Sequence, residues 1–119
     1  AFWTGIFYDP AALEAAQALV RGLSYPDILA LRAAVPATGI NTKFGAGTLR
    51  DLAREAVAIS AHGLKARARL NQAGEDERVY LAPLTEIAAG APTQAEHWLE
   101  RYHGAWGGDV MRIFAEAAY

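Results

Sequence analysis

The run from Thr48 to Gln72, TLRDLAREAVAISAHGLKARARLNQ, constrains this chain more than any other stretch, since it is the longest with one periodicity and no proline. Thr48 can accept a hydrogen bond from the amide of Asp51 while Asp51 reaches back, so Thr48-Leu-Arg-Asp51 reads as a capping box that opens a helix. Leu49, Leu52, Ala53, Ala56, Ile59, Ser60 and Gly63 follow at helical spacing as a narrow apolar stripe, with Arg50, Asp51, Arg54 and Glu55 facing away. Ala53, Ala56, Ser60 and Gly63 are small enough for a neighbouring helix to come close, which puts this element at the centre of a bundle. His62, Lys65, Arg67 and Arg69 then place positive charge at the negative end of the helix dipole. Asn71-Gln-Ala-Gly74 reads as the stop.

The remaining sequence reads as shorter helices arranged around that one. Phe2, Trp3, Ile6, Phe7 and Tyr8 form an aromatic opening that calls for burial. Asp9-Pro10 is a cap followed by proline at the first helical position, and the helix it opens stops at Gly22. Ser24-Tyr-Pro-Asp27 opens another, which Pro36 is expected to end. Residues 36–47, PATGINTKFGAG, read as a loop anchored by Ile40 and Phe44. Gly45-Ala-Gly47 precedes a helix, but without GxxxxGK[ST] or a preceding strand it reads as a turn rather than a phosphate loop. Asp76 to Ala89 reads as helical, with Pro83 kinking or restarting it. Thr93-Gln-Ala-Glu96 is a further capping box, and the helix it opens stops at Gly104. Asp109 caps a last helix carrying Val110, Ile113, Phe114 and Ala117 to Tyr119. No segment alternates with period two. The expected class is all-α: one domain over 1–119, a small orthogonal or antiparallel bundle of about five or six helices around a central helix at about 48–72.

Composition narrows the function classes. A chain of 119 residues with 53% hydrophobic residues can bury one core. Its net charge of −2 gives no electrostatic case for nucleic acid or an anionic membrane surface. The absence of cysteine excludes disulfides, thiolate metal sites and cysteine nucleophiles. With no bilayer-length apolar run and no stretch that reads as a signal peptide, the expected location is cytoplasmic. The start, Ala1-Phe-Trp-Thr-Gly-Ile-Phe-Tyr8, lacks an initiator methionine and is aromatic where a free terminus is usually polar, as though a larger protein had been cut there.

No catalytic constellation emerges from the spacing. His97 and His103 lie on different helix faces, and neither they nor His62 make an HxxxH or HExxH pattern. Glu14, Asp27, Glu55, Glu86 and Glu116 sit one per element, with no dyad. Lys65, Arg67 and Arg69 admit three readings: complementarity to the helix dipole, a salt-bridged face, or an anion site. Lys65 and Arg69 would share a face at i and i+4 while Arg67 points away, so the three would not clamp one phosphate. Trp106, set among glycines, reads as a core tryptophan at a helix corner before it reads as a ligand-stacking ring.

Four segments carry a family resemblance: FWTGIFYDPAALEAA (Phe2 to Ala16), LRAAVPATGINTKF (Leu31 to Phe44), GTLRDLAREAVAISAHGLKARARL (Gly47 to Leu70) and LERYHGAWGGDVMRIFAEAAY (Leu99 to Tyr119). Together they resemble the C-terminal part of the plant and proteobacterial type of glutamate-cysteine ligase. That family uses ATP to join the side-chain carboxylate of glutamate to the amine of cysteine, the first step toward glutathione. The resemblance implies that the sheet, metal-binding glutamates and ATP contacts lie upstream, in a catalytic part that would be this chain's partner. ATP and Mg²⁺ would belong to that parent enzyme, and this segment alone would have no catalytic or metal-binding residue. It would act as a helical layer with a structural and pocket-closing role, with Trp3 and Tyr8 nearest in sequence to the substrate segment. The aromatic N-terminal face could also join copies of the chain. A free-standing helical interaction module is the other reading. The chain departs from the family pattern at Gly45, Ala105, Asp109 and Met111-Arg112, where an arginine, a glutamate, a serine and an Asp-Pro pair are usual.

Overall fold

Local capping chemistry sets where the longer helices begin. Asp9 Oδ2 accepts the Ala12 amide at 2.9 Å. Ser24 with Asp27, Thr48 with Asp51 and Thr93 with Glu96 form reciprocal capping boxes, each satisfying two amides that a helix start leaves unpaired. The computed structural model describes residues 1–117; Tyr119 lies outside them. In chain order it contains α1 (Phe2–Phe7), α2 (Pro10–Val20), α3 (Tyr25–Thr38), the strands β1 (Lys43–Phe44) and β2 (Gly47–Thr48), α4 (Leu49–Arg67), α5 (Ala82–Ala89), α6 (Gln94–His103) and α7 (Arg112–Glu116). Short 3-10 turns at Gly39–Asn41 and Glu77–Leu81 precede β1 and α5. The chain is all-α, with seven α-helices among the described residues rather than five or six.

The chain forms two compact units, Ala1–Ala89 and a second from Gly90 onward. In the first, α4 is the hub, meeting α1, α2, α5 and the hairpin. Ser60, Gly63 and Leu64 are its buried residues. Leu64, which the stripe read from sequence omits, is fully enclosed at 0% exposure, a burial worth about 1.5–3 kcal/mol. Arg50 does not face away: its guanidinium donates to the Ile87 carbonyl at 2.5 Å, and Arg54 Nε donates to the Ala88 carbonyl at 3.2 Å. Two cations thereby complete the unpaired carbonyls at the negative end of α5.

Three further sequence expectations are corrected by the structure. The central helix ends at Arg67, not near Gln72, because Ala68 turns left-handed with φ 53°. Beyond it Leu70 bridges Asp76, while Asn71 Oδ1 accepts the Ala73 and Glu75 amides at 2.9 Å each. Asn71 to Gly74 therefore forms its own turn, and Arg69 is off the helix, so it shares no helical face with Lys65. Pro36 does not end α3, which runs on to Thr38; proline there removes one backbone bond at an exposed last turn, and Thr38 Oγ1 donates to the Ala34 carbonyl at 3.0 Å. Pro83 takes the second of the two outcomes expected for it and restarts the helix, lying near the beginning of α5 after the 3-10 turn. The Gly45-Ala46 turn joins β1 to β2 in an antiparallel hairpin, Lys43 opposite Thr48 and Phe44 opposite Gly47. In the aromatic opening Ile6 is buried, while Trp3, Phe7 and Tyr8 form an exposed aromatic face.

The second unit is organised by Trp106, 5% exposed. Its ring stacks on Trp98 with centroids 5.5 Å apart, and its Nε1 donates to Glu116 Oε1 at 2.7 Å. Arg101 pairs with Glu116 and lies 5.5 Å from the Trp106 ring centroid. The corner role read for this tryptophan is the one it takes.

Candidate functional site

Two glycines determine how α1 lies on α4. A Cβ on Gly63 would stand 1.8 Å from the Gly5 carbonyl oxygen, and one on Gly5 would stand 2.2 Å from that of Ser60. Backbone therefore meets backbone, and Ser60 Oγ donates to the Phe2 carbonyl at 2.8 Å. Ile6 is buried at 5% exposure by this seating. The opposite face of α1 then points outward: Trp3 is 64%, Phe7 61% and Tyr8 73% exposed. Trp3 and Phe7 are stacked, ring centroids 5.6 Å apart, and Phe2 meets Trp3 edge-on.

Two of the residues singled out from sequence meet on this ledge. The Arg67 guanidinium lies 4.9 Å from the Tyr8 ring centroid, a cation–π distance. Its Nη1 is also 3.4 Å from Glu77 Oε2. Arg67 is thus held between a ring and a carboxylate, while Lys65 and Arg69 are exposed. Trp3, Phe7 and Tyr8 offer a flat apolar face with a cation at one end, suited to a planar group or to another polypeptide surface.

Four carboxyls are held by neighbours that lower their pKa. The Ser24 hydroxyl and amide hold the Asp27 carboxyl below its ordinary value, those of Thr48 do the same for Asp51, and the Arg78 side chain and amide do so for Asp76. Desolvation pushes Glu116 up, but hydrogen bonds from Trp106 and Arg101 and the charges of Arg101 and Arg112 outweigh it and bring it down. Among the described residues no group of three or more His, Cys, Asp or Glu could hold a metal ion. They therefore offer Mg²⁺ no cage built of protein side chains alone. No helix among them is long and apolar enough to cross a membrane.

Sequence reasoning named Trp3, Tyr8 and Arg67 but not their arrangement. Tyr8 and Arg67 lie far apart in sequence, and only the small-residue stripe of α4, Ala53, Ala56, Ser60 and Gly63, points to the close crossing behind their pairing.

Known proteins resemble the whole of this chain. The model of the family described as Glutamate-cysteine ligase family 2 (GCS2) matches residues 1–116. The chloroplastic glutamate-cysteine ligases of Nicotiana tabacum and Arabidopsis thaliana are each 34% identical over 119 residues, which is 100% of this chain and 22% of theirs. Glutamate-cysteine ligase A of Oryza sativa subsp. indica is 32% identical, again over 100% of this chain and 23% of its own. The chain thus spans less than a quarter of these relatives, in their C-terminal part. With a family match running from Ala1 to Glu116 and this identity over its full length, the chain belongs to glutamate-cysteine ligase family 2.

Proposed function

We propose that this chain is the C-terminal helical layer of a glutamate-cysteine ligase, its two units together serving as one domain over 1–119. It packs against an upstream catalytic part and helps close the substrate pocket. The parent's reaction is the ATP-dependent joining of the glutamate side-chain carboxylate to the amine of cysteine. The nucleotide and Mg²⁺ are held upstream, and the 119-residue chain alone is inactive.

The observation that carries this reading is a surplus of uncovered apolar surface in a chain that aligns over all its length with a fraction of an enzyme. Trp3, Phe7 and Tyr8 beside one another, and Ile28 and Leu29 on α3, are each 45% exposed or more. Clustered exposed hydrophobics mark a surface that something covers. Within this reading Trp3 and Tyr8 are the side chains nearest the substrate. Arg67 steadies Tyr8, and Lys65 and Arg69 remain free to meet an anion. The lack of cysteine suits a reducing compartment, so a cytoplasmic location goes with this proposal.

The test is to read the gene upstream of the Ala1 codon and assay the product. A continuing ligase frame, together with γ-glutamylcysteine formation when the upstream part is mixed with this chain and not without it, is the expected result. Absence of association with the upstream part overturns the reading. Binding to an unrelated protein through the Trp3-Tyr8 ledge would then favour a free-standing interaction module. Sedimentation at rising concentration reports whether the same ledge joins two copies.

A further inference from the structure

Helix α3 is well made and nearly uncovered. Its capping box closes the start, and the Gly39 amide returns to the Val35 carbonyl at the end. Yet none of its 14 residues is buried. Tyr25 is 72%, Ile28 49%, Leu29 45% and Val35 38% exposed, and the helix carries only two charged side chains, Asp27 and Arg32. A helix apolar on most of its circumference belongs inside a larger body. One this short is marginal in water without packing. Between α3 and the β1–β2 hairpin runs a groove of about 590 Å³, walled by Leu23, Leu31, Ala34 and Phe44, with Asp27 and Lys43 on its lining.

Charge indicates what covers this surface. Among the described residues, Arg21, Arg32 and Lys43 have no side-chain hydrogen bond or ion pair. The one carboxylate between Arg21 and Gly45 is Asp27, and Ser24 engages it at 2.5 Å and 2.8 Å. A second copy docked on the same face would offer three unpaired cations only one carboxylate, Asp27, which Ser24 already engages, and this disfavours a two-fold pairing. The family relatives have more than three quarters of their length outside the matched part, ample chain to do the covering.

We infer that α3 and its groove seat an apolar, carboxylate-bearing segment of the upstream ligase polypeptide, whose acidic side chains meet Lys43, Arg21 and Arg32. This rests on the reading of the chain as a ligase layer and adds which face meets the catalytic part and with what chemistry. The occupant inserts aliphatic or aromatic side chains beside Leu31 and Phe44. Its carboxylates neutralise Lys43 on the groove lining and the exposed Arg21 and Arg32.

The chain contains no cysteine, so single Ala30→Cys, Ala33→Cys and Ala34→Cys variants report on α3 in the ligase polypeptide read upstream of Ala1. The readout is maleimide labelling at that cysteine, located by mass spectrometry, in native buffer and in urea. Covered sites label about tenfold or more slowly in native buffer than in urea. Lys43→Glu speeds native labelling at Ala34→Cys, whereas Lys43→Arg does not. Equal native and urea rates with γ-glutamylcysteine formation intact would overturn this inference and leave the ligase reading standing. Fast labelling with no activity in any variant or in the parent polypeptide overturns both. Protection that appears only as protein concentration rises assigns the face to a second copy and also overturns it.

Discussion

Replacing Gly63 by alanine tests the backbone-to-backbone crossing on which the exposed aromatic ledge depends. The new methyl would overlap the Gly5 carbonyl oxygen at 1.8 Å and its carbon at 2.8 Å. Both are main-chain atoms, so no rotamer change relieves the overlap, and α1 has to retreat by about 1.5 Å to regain ordinary contact distance. Retreat exposes Ile6, worth about 1.5–3 kcal/mol, and breaks the Ser60–Phe2 hydrogen bond, worth about 0.5–1.5 kcal/mol. Alanine's better helix propensity within α4 offsets about 1 kcal/mol of this. The expected net loss is about 1–3.5 kcal/mol, read as a lower urea midpoint and as lost amide-exchange protection in α1. Ala58→Gly, on the exposed side of α4, serves as the control. It lowers stability by about 1 kcal/mol through propensity alone and leaves α1 protected. A Gly63→Ala chain that unfolds at or above the parent's urea midpoint, with α1 amides still protected, would refute the crossing.

Ala68 holds a left-handed backbone at φ 53° and ψ 37°, so Ala68→Gly is expected to stabilise the first unit by about 0.5–1 kcal/mol in the same titration. Trp106→Phe removes the indole donor to Glu116 and part of a buried ring; thermal unfolding followed in the unit from Gly90 onward should show a loss of about 1–3 kcal/mol. The carboxyls of Asp27 and Asp51 are depressed below 3.8 in the folded chain. Their stabilisation is therefore complete above the unfolded value and is lost as pH falls through the folded one. Circular dichroism should show helix content falling below about pH 4, and Asp51→Asn should flatten that dependence.

The starts of α3, α4 and α6 are legible in the sequence because a capping box closes within four residues, whereas α7 begins at Arg112 rather than after Asp109. Ser24 with Asp27, Thr48 with Asp51, and Thr93 with Glu96 carry the whole of that information in one short stretch. The end of α4 was not legible, because it depends on Leu70 bridging Asp76 and on Arg67 meeting Glu77 across an intervening turn. The partners of Arg50 and Arg54 lie 37 and 34 residues away, beyond the reach of any periodicity argument. Hydrophobicity marks Trp3, Phe7 and Tyr8 as side chains that need cover without saying which stretch of polypeptide supplies it, and their exposure leaves that cover to another surface. The family resemblance was legible from local motifs, whereas the meeting of Tyr8 with Arg67 required the folded chain.

Where α1 rests on α4, peptide planes touch with no compressible side chains between them. Such a joint transmits rather than absorbs movement. A displacement of the hub helix by a fraction of an ångström carries the stacked rings of Trp3 and Phe7 with it in full. Position on that outward surface is thereby governed from inside the unit, by a seat made of two residues that have no side chain.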